Sequence, residues 1–300
     1  MRHNKHERLT TPSPGIRAAA PVAALLVSMA SVQSGASVAK TLFPLAGVGG
    51  TVALRVGFGT LLLCLVLRPW RLRPGRGSWL PLLVYGVSLG TMNGLFYQAL
   101  ERLPIGIAVA VEFIGPLTLA VLTSRRAVDL LWIALAAAGL ALLLPLLHRT
   151  HLDPTGILFA LGAGACWALY IVSGRKVGHQ LGAQGVALGS LIAAALIVPL
   201  GLIGAPAVIL SRAVLLRGLA VGALSTALPY SLEMIALARL PTRSFSVMMS
   251  LEPAVGAVSG LLFLDERLAA TQWIAIVLVI AASIGTASSA RQEATAPVPD

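Results

Sequence analysis

Residues 225–241 read STALPYSLEMIALARLP, an apolar stretch that contains a single carboxylate, Glu233. The stretch has the composition of a membrane helix, and its end, ALARLP, nearly repeats the ALERLP of residues 99–104. A charge at the centre of a membrane helix costs about 2.5–3.5 kcal/mol on insertion scales. Glu233 therefore needs either a buried partner or a function that offsets this cost.

The whole chain has the composition of a membrane protein. Of its 300 residues, 57% are hydrophobic and only 11% are charged, and the mean hydropathy is +0.88. Such a chain has too little polar surface to cover a soluble globule. Apolar runs of about 20 residues follow one another from residue 18 to residue 287, and each is long enough to cross the hydrocarbon core as a helix. We therefore predict an all-α integral membrane protein.

Turn residues and short polar linkers divide the apolar region into ten predicted transmembrane helices. The first run ends in ASVA, which faintly resembles a signal-peptidase site, but it is longer than a usual signal sequence and we expect a retained helix. The ten spans lie near residues 18–39, 44–67, 80–100, 105–123, 130–147, 156–173, 186–205, 213–237, 244–264 and 272–290.

The basic residues of the linkers indicate the orientation of the chain. With both termini in the cytoplasm, fifteen Lys and Arg residues fall in cytoplasmic segments and six in outer segments. This distribution follows the positive-inside rule, whereas nine or eleven spans would scramble it. We therefore predict that both termini are cytoplasmic. Lys40 lies at a span boundary, where we expect its ammonium group to reach water.

A weak internal repeat relates the two halves of the chain. A shift of 137 residues aligns the Arg-Leu-Pro of residues 102–104 with that of residues 239–241, and Pro116 with Pro253. Because each copy holds five spans, the second must cross the membrane in the opposite sense, which in transporters places the substrate site between the halves. We predict a cytoplasmic tail at 1–17, inverted five-helix repeats at 18–147 and 156–290, and a disordered tail at 291–300.

Four charged residues lie well inside the predicted spans: Arg55, Glu112, Glu233 and Glu252. Each glutamate is within four residues of a proline. Proline leaves the carbonyl one turn earlier without its helical hydrogen bond, which is tolerated in a membrane only where that carbonyl faces protein or a wet cavity. We therefore predict interrupted helices around a central cavity.

Two interpretations of these charges remain open. A glutamate can form a buried ion pair, for example with Arg55, that holds the two halves together. Alternatively, because burial favours the neutral form of a carboxyl group, it can take up a proton or bind the ammonium group of a substrate. We predict the second role above all for Glu233, shared with Glu112 or Glu252.

Other polar and aromatic residues extend the candidate site. Asn93 and Tyr97 stand at i and i+4 in the stretch TMNGLFYQ, although hydrogen bonding between helices explains them about equally well. Trp167 is a further candidate, although aromatic residues near an interface more often anchor a helix. The candidate substrate- or proton-binding residues are Arg55, Asn93, Tyr97, Glu112, Trp167, Ser225, Tyr230, Glu233 and Glu252.

Several other functions and sites find no support in the sequence. The net charge of +11 is spread over short loops, which argues against nucleic-acid binding. The histidines lack metal-ligand spacing and no P-loop occurs, so we expect neither a metal nor a cofactor. Cys64 and Cys166 fall inside apolar segments, where packing is their expected role. Gly86, Gly90 and Gly94 form a flat stripe that predicts close helix packing.

Four stretches of the chain carry a resemblance to a known family. They are GIAVAVEFIGPLTLAVLTSRRAVDLLW, ALGAGACWALYIVSG, LSTALPYSLEMIALARLPTRSFSVMMSLEPA and SGLLFLDERL. These stretches resemble the EamA family of the drug/metabolite transporter superfamily, and within it they are most similar to the threonine and homoserine exporter subgroup. The likeness extends over nearly the whole chain after about residue 18, and the positions of Glu112, Glu233 and Glu252 match the family pattern.

The resemblance implies an inner-membrane exporter of small amino acids, coupled to proton entry, and not an enzyme. The expected partners are a small amino acid or metabolite, protons and membrane lipid, and the sequence leaves a homodimer open. One alternative is the efflux of drugs or other metabolites, because likeness of fold does not fix the substrate. A second alternative, an integral-membrane enzyme, is disfavoured by the dispersed histidines.

Overall fold

A computed structural model of the chain describes residues 14–122, 127–143, 152–203, 205–237, 249 and 251–295. All regular secondary structure in these residues is helical, which confirms the all-α prediction. A π-helical turn, Ala223–Ala227, joins α8 to α9, and three short 3₁₀ turns lie at Pro69–Arg71, Arg76–Ser78 and Ala207–Leu210. The helices are α1 Pro14–Lys40, α2 Phe43–Leu67, α3 Trp79–Arg102, α4 Ile105–Glu112, α5 Ile114–Leu122, α6 Ala127–Leu143, α7 Pro154–Leu202, α8 Arg212–Gly222, α9 Leu228–Leu237, α10 Glu252–Leu264 and α11 Ala270–Thr295.

Several of these helices have the length and hydropathy of membrane spans. Large apolar side chains such as Leu65, Leu80 and Leu262 are exposed on the outside of the bundle, where lipid accepts them. The chain is therefore embedded in a membrane, while the count of ten spans stays a prediction. The five segments that are long enough among the described residues are Val22–Lys40, Phe43–Leu67, Arg76–Arg102, Pro154–Leu202 and Arg212–Glu233.

Helix α7 corrects the prediction of a loop at residues 174–185. The helix continues through this segment to Gly182, where φ is 58° and ψ is −150°, a conformation that glycine adopts readily. Gly174 and Gly189 both face Tyr85, so the chain reverses at Gly182 and α7 consists of two packed halves. The prediction was wrong because polar side chains are typical of a loop. Here they project from an exposed helical face, and the helical backbone continues beneath them.

The predicted interruptions near prolines are present. Helices α4 and α5 are separated by a break at Phe113, directly after Glu112. The π-helical turn precedes Pro229 and Glu233 in the next interrupted segment. Helix α10 begins at Glu252, with its proline in the first turn. Each glutamate thus lies at or close to an irregular point of its helix, as the proline spacing predicts.

Glycines allow the two halves of the chain, α1–α6 and α7–α11, to pack closely. A side chain on Gly86 would meet Gly189 O, and one on Gly90 would crowd the backbone of Ala193. This confirms the close packing predicted for the glycine stripe. As a result, α3 packs along the length of α7. Helix α1 packs against α9 and α10, α2 against α7 and α8, and α6 against α11, so the halves are interleaved.

A group of polar contacts around Lys40, which we call the Lys40 cluster, lies at one end of the bundle. Lys40 Nζ lies 2.6 Å from Glu266 Oε1 and donates to Leu103 O at 3.1 Å. The second oxygen, Glu266 Oε2, accepts the Ile105 N–H at 2.8 Å. The cluster therefore joins the ends of α1, α3 and α4 to the segment after α10. Lys40 was expected to reach water, but its side chain is only 18% exposed because Glu266 provides a partner.

Candidate functional site

A cavity of about 90 Å³ lies between the two halves of the chain. Its walls come from α1, α2, α3 and α4 in the first half and from α7, the π-helical turn, α9 and α10 in the second. Both apolar and ionisable side chains face it. The lining residues are Val32, Gln33, Arg55, Met92, Asn93, Phe96, Val109, Glu112, Trp167, Tyr170, Ser225, Tyr230, Glu233, Met249 and Glu252.

Arg55 is the buried cation of this cavity. Its Nη2 donates to Ser225 O at 3.1 Å, and its guanidinium lies 5.0 Å from the ring centroid of Tyr97. The carbonyl of Ser225 is available because Pro229, one turn later, has no N–H to donate. Arg55 Nε has no hydrogen-bond partner. Among the described residues no carboxylate lies within 4.0 Å of Arg55, so the ion-pair interpretation is not realised here.

Glu233 is held by a hydroxyl group from the other half of the chain. Ser28 Oγ of α1 is 2.9 Å from Glu233 Oε1 and 3.3 Å from Pro229 O. Ser28 is fully buried, whereas Glu233 is half-buried. The serine therefore positions the carboxyl group at the cavity wall without neutralising its charge.

Glu112 and Glu252 face the same cavity from helix ends. Glu112 is the last residue of α4 and Glu252 the first of α10, and each is 7% exposed. Of the charged pairs formed by described residues, none involves Glu112, Glu233 or Glu252. The described part of the cavity wall thus carries one cation and three carboxyl groups that are not paired with one another.

The structure brings eight of the nine candidate residues to the cavity wall. Tyr97 is the exception: it is fully buried and lies behind Arg55. Trp167 packs edge-on against Phe113 at the break between α4 and α5, with 5.7 Å between ring centroids. Trp167 therefore belongs to the cavity wall in this structure.

Several lining residues are not among the nine candidates. Gln33 carries the same sequence signal as Asn93, a polar side chain inside an apolar span that is equally well explained by a pocket or by helix packing, and its Oε1 has no hydrogen-bond partner. Tyr170 stands one turn from Trp167 and carries the same aromatic signal, and it stacks on Tyr85 with 4.9 Å between the ring centroids. The apolar lining residues, such as Val109, carry no such signal. In the sequence, an apolar residue at a cavity wall looks the same as an apolar residue that faces lipid.

An all-helical membrane protein with broken helices around a charged cavity between its halves has the architecture of a membrane transporter. Comparison with known proteins agrees with this class. Residues 154–288 match the EamA-like transporter family. The chain is 55% identical over 274 residues to the threonine/homoserine exporter RhtA of Escherichia coli (strain K12), covering 91% of this chain and 93% of the relative. The chain belongs to the EamA-like transporter family, which confirms the predicted family and assigns the protein to transporters rather than enzymes.

Further relatives extend this comparison. RhtA of Salmonella typhimurium (strain LT2) is 54% identical over the same shares of both chains. The uncharacterized transporter YwfM of Bacillus subtilis (strain 168) is 27% identical over 82% of this chain and 86% of its own. A crystal structure of another protein, 20% identical, superposes with a TM-score of 0.62 over 91% of this chain and 99% of that one, which shows a shared fold.

Proposed function

We propose that this protein is a secondary transporter that exports threonine, homoserine or a similar small amino acid across the inner membrane, driven by proton entry. The named substrates of its relatives support the class of cargo. The observation that carries the proposal is that Arg55 and Glu233 face one cavity without pairing with each other. A zwitterionic amino acid supplies the two opposite charges that this arrangement leaves unmatched.

In the proposed complex the substrate bridges the cavity. Its carboxylate binds the guanidinium of Arg55, which presents planar donors suited to a carboxylate. Its ammonium group binds Glu233, with Glu112 or Glu252 nearby. Opposite charges held in a site away from bulk water attract strongly, so the cavity favours a zwitterion over a neutral molecule of the same size.

Proton coupling follows from competition at Glu233. A proton and the substrate's ammonium group cannot both occupy the same carboxylate, so each displaces the other and the two move in opposite directions. An inside-negative potential supplies about 2.3 kcal/mol per 100 mV for each proton drawn inward. The groups that share the cavity with Glu233 and will affect its protonation are Arg55, Glu112, Tyr170, Tyr230 and Glu252, and Ser28 contacts it from α1.

Alternating access requires two states of the cavity, and the inverted repeats at 18–147 and 156–290 are proposed to supply them. Fully or almost fully buried residues, among them Ala36, Tyr97 and Leu100, lie between the cavity and the Lys40 cluster. In the orientation predicted from the positive-inside count, that end faces the outside of the cell. This structure is then the state closed to the outside, and opening would require Lys40 and Glu266 to separate.

Gradient-driven transport in everted membrane vesicles tests the proposal. An acidic lumen is expected to drive accumulation of radiolabelled threonine and homoserine in vesicles that contain the protein, and not in vesicles without it. Glu233→Gln should lower this accumulation at least about tenfold, because the variant cannot exchange a proton for an ammonium group. The matched control is Glu101→Gln, the same change at an exposed residue outside the cavity.

Two results would contradict the proposal. Accumulation by Glu233→Gln at the wild-type level would remove that carboxyl group from the coupling step. Vesicles that move neither amino acid, from cells that gain resistance to amphipathic cations, would favour drug efflux instead.

A further inference from the structure

A small polar pocket lies beside the main cavity, where α2, α3, the second half of α7 and the π-helical turn meet. Its volume of about 10 Å³ is close to that of one water-sized group. Asn93 and Tyr230 line both this pocket and the main cavity, so the two adjoin. The lining residues are Val56, Thr60, Leu89, Asn93, Ser190, Ala193, Thr226 and Tyr230.

The pocket contains a buried hydroxyl group that lacks a partner. Ser190 is 2% exposed, and its Oγ makes no hydrogen bond. Thr60 is 3% exposed and donates its hydroxyl hydrogen to Ser190 O at 3.2 Å, which leaves the Thr60 oxygen able to accept. A donor and an acceptor therefore lie at the same small pocket, where an unmatched polar group is costly.

The chemistry of the lining selects a neutral polar group as the occupant. Among the residues that the structure describes, no charged side chain lines the pocket, so a carboxylate or ammonium group would find no counter-charge there. A methyl group would fit the volume of the pocket but would leave Ser190 Oγ without a hydrogen-bond partner. A hydroxyl group can donate and accept at once, and it matches both the size and the hydrogen-bonding capacity of the pocket.

We infer that this pocket, formed around Thr60 and Ser190, binds the side-chain hydroxyl of the substrate and makes the transporter selective for hydroxy amino acids. The inference rests on the proposed function, in which Arg55 and Glu233 hold the two charged groups in the adjoining cavity. Threonine and homoserine, the substrates named for the relatives, share a side-chain hydroxyl. A site built to bind a hydroxyl rejects the analogue without it more strongly than an apolar pocket rejects an added one.

One compound tests this selectivity for both substrates, because removal of the hydroxyl from either threonine or homoserine gives 2-aminobutyrate. Initial rates of uptake into everted vesicles are compared for radiolabelled threonine and 2-aminobutyrate, both below saturation. Wild-type protein should prefer threonine by at least about tenfold. Ser190→Ala and Thr60→Val should each reduce this preference at least about fivefold by slowing threonine alone, since only threonine uses the lost hydrogen bond.

Matched variants separate selectivity from folding. Ser173→Ala makes the same change in the first half of α7, at a buried serine whose hydroxyl donates to Leu169 O, and should keep the wild-type ratio. Thr60→Ser retains the hydroxyl and should restore the preference that Thr60→Val loses.

The outcomes distinguish this inference from the proposed function. Wild-type transport of threonine, with an unchanged ratio in both Ser190→Ala and Thr60→Val, would overturn the hydroxyl pocket and leave amino acid export standing. Wild-type vesicles that take up neither compound would overturn the proposed function and the pocket's role with it. A variant that slows both compounds equally would also count against the pocket, because a hydroxyl contact affects threonine only.

Discussion

Arg55 is held at the cavity wall by a backbone carbonyl and an aromatic ring instead of by a carboxylate. The carbonyl is that of Ser225, which Pro229 deprives of its helical partner, and the ring is that of Tyr97. Neither contact neutralises the guanidinium, so its charge remains available to a ligand. The buried aromatic ring gives a cation–π contact that contributes to the stability of an arginine in this position.

Substitution of Arg55 should weaken binding of the substrate's carboxylate selectively. Arg55→Gln is expected to raise the threonine concentration for half-maximal uptake at least about tenfold, because loss of a buried charge contact costs more than 1.4 kcal/mol. Threoninol, which has the ammonium and hydroxyl groups but no carboxylate, should compete equally well against wild type and variant. Inhibition of labelled threonine uptake measures both quantities.

Arg217→Gln is the matched control, since Arg217 is exposed on α8 and lies away from the cavity. Arg55→Lys keeps the charge but not the planar fork, so its effect should lie between those of wild type and Arg55→Gln. If threonine and threoninol lost affinity equally in Arg55→Gln, the residue would have a structural role only.

The charged residues of the site could be predicted from sequence because each charge in an apolar span stands out against its cost in lipid. Whether a side chain reaches the cavity or is buried behind its wall could not be predicted. Asn93 and Tyr97 share a helix face, and the i, i+4 spacing says nothing about which one reaches the cavity. Tyr97 is separated from the cavity by the side chain of Arg55, which lies over its ring. Arg55 belongs to α2, so this arrangement depends on a helix that is distant in sequence.

At the scale of elements, the break between α4 and α5 depends on a close backbone contact with α7. A Cβ atom on Gly164 would collide with Glu112 O, and one on Gly115 would collide with Gly164 O. The carbonyl of Glu112 is also the one that Pro116 deprives of a helical partner. Glycine at position 164 therefore lets the interrupted helix approach α7 and holds Glu112 at the cavity.

Gly164→Ala should disturb this contact. Overpacking of this kind costs about 1–3 kcal/mol, so we expect a lower melting temperature of the purified protein in detergent and slower threonine uptake. Gly178→Ala is the control in the same helix, because nothing lies within 4 Å of a Cβ atom at that position. Equal melting temperatures for the two variants would show that α4 and α7 do not meet as described.

The elements were partly predictable from sequence. Proline spacing locates the interruptions near Glu112, Glu233 and Glu252, because proline has no N–H and so removes the helical hydrogen bond of the carbonyl four residues earlier. The π-helical form of the turn before Pro229 and the extension of α7 to Gly182 could not be predicted. The turn packs against α1 and α2, which are distant in sequence, and the extension of α7 has an exposed helical face that resembles a loop in composition.

At the scale of the whole molecule, the site exists only where the two halves meet. Arg55 and Glu112 come from the first half, and Glu233 and Glu252 from the second. The internal repeat predicts a site between the halves, and all four residues face one cavity there. The pairing of Lys40 with Glu266, 226 positions apart, could not be predicted, because it depends on which helix ends lie side by side.

If a proton and the substrate's ammonium group compete for Glu233, threonine binding must release a proton from the protein. The most direct measurement is proton release in weakly buffered solution near neutral pH, when purified protein in detergent binds threonine. We expect up to one proton per threonine for wild type and for Glu101→Gln, equal to the fraction of Glu233 that is protonated before binding, and none for Glu233→Gln, whose amide has no proton to exchange. Threonine binding to wild type without proton release, or equal release by Glu233→Gln, would contradict exchange at this carboxyl group.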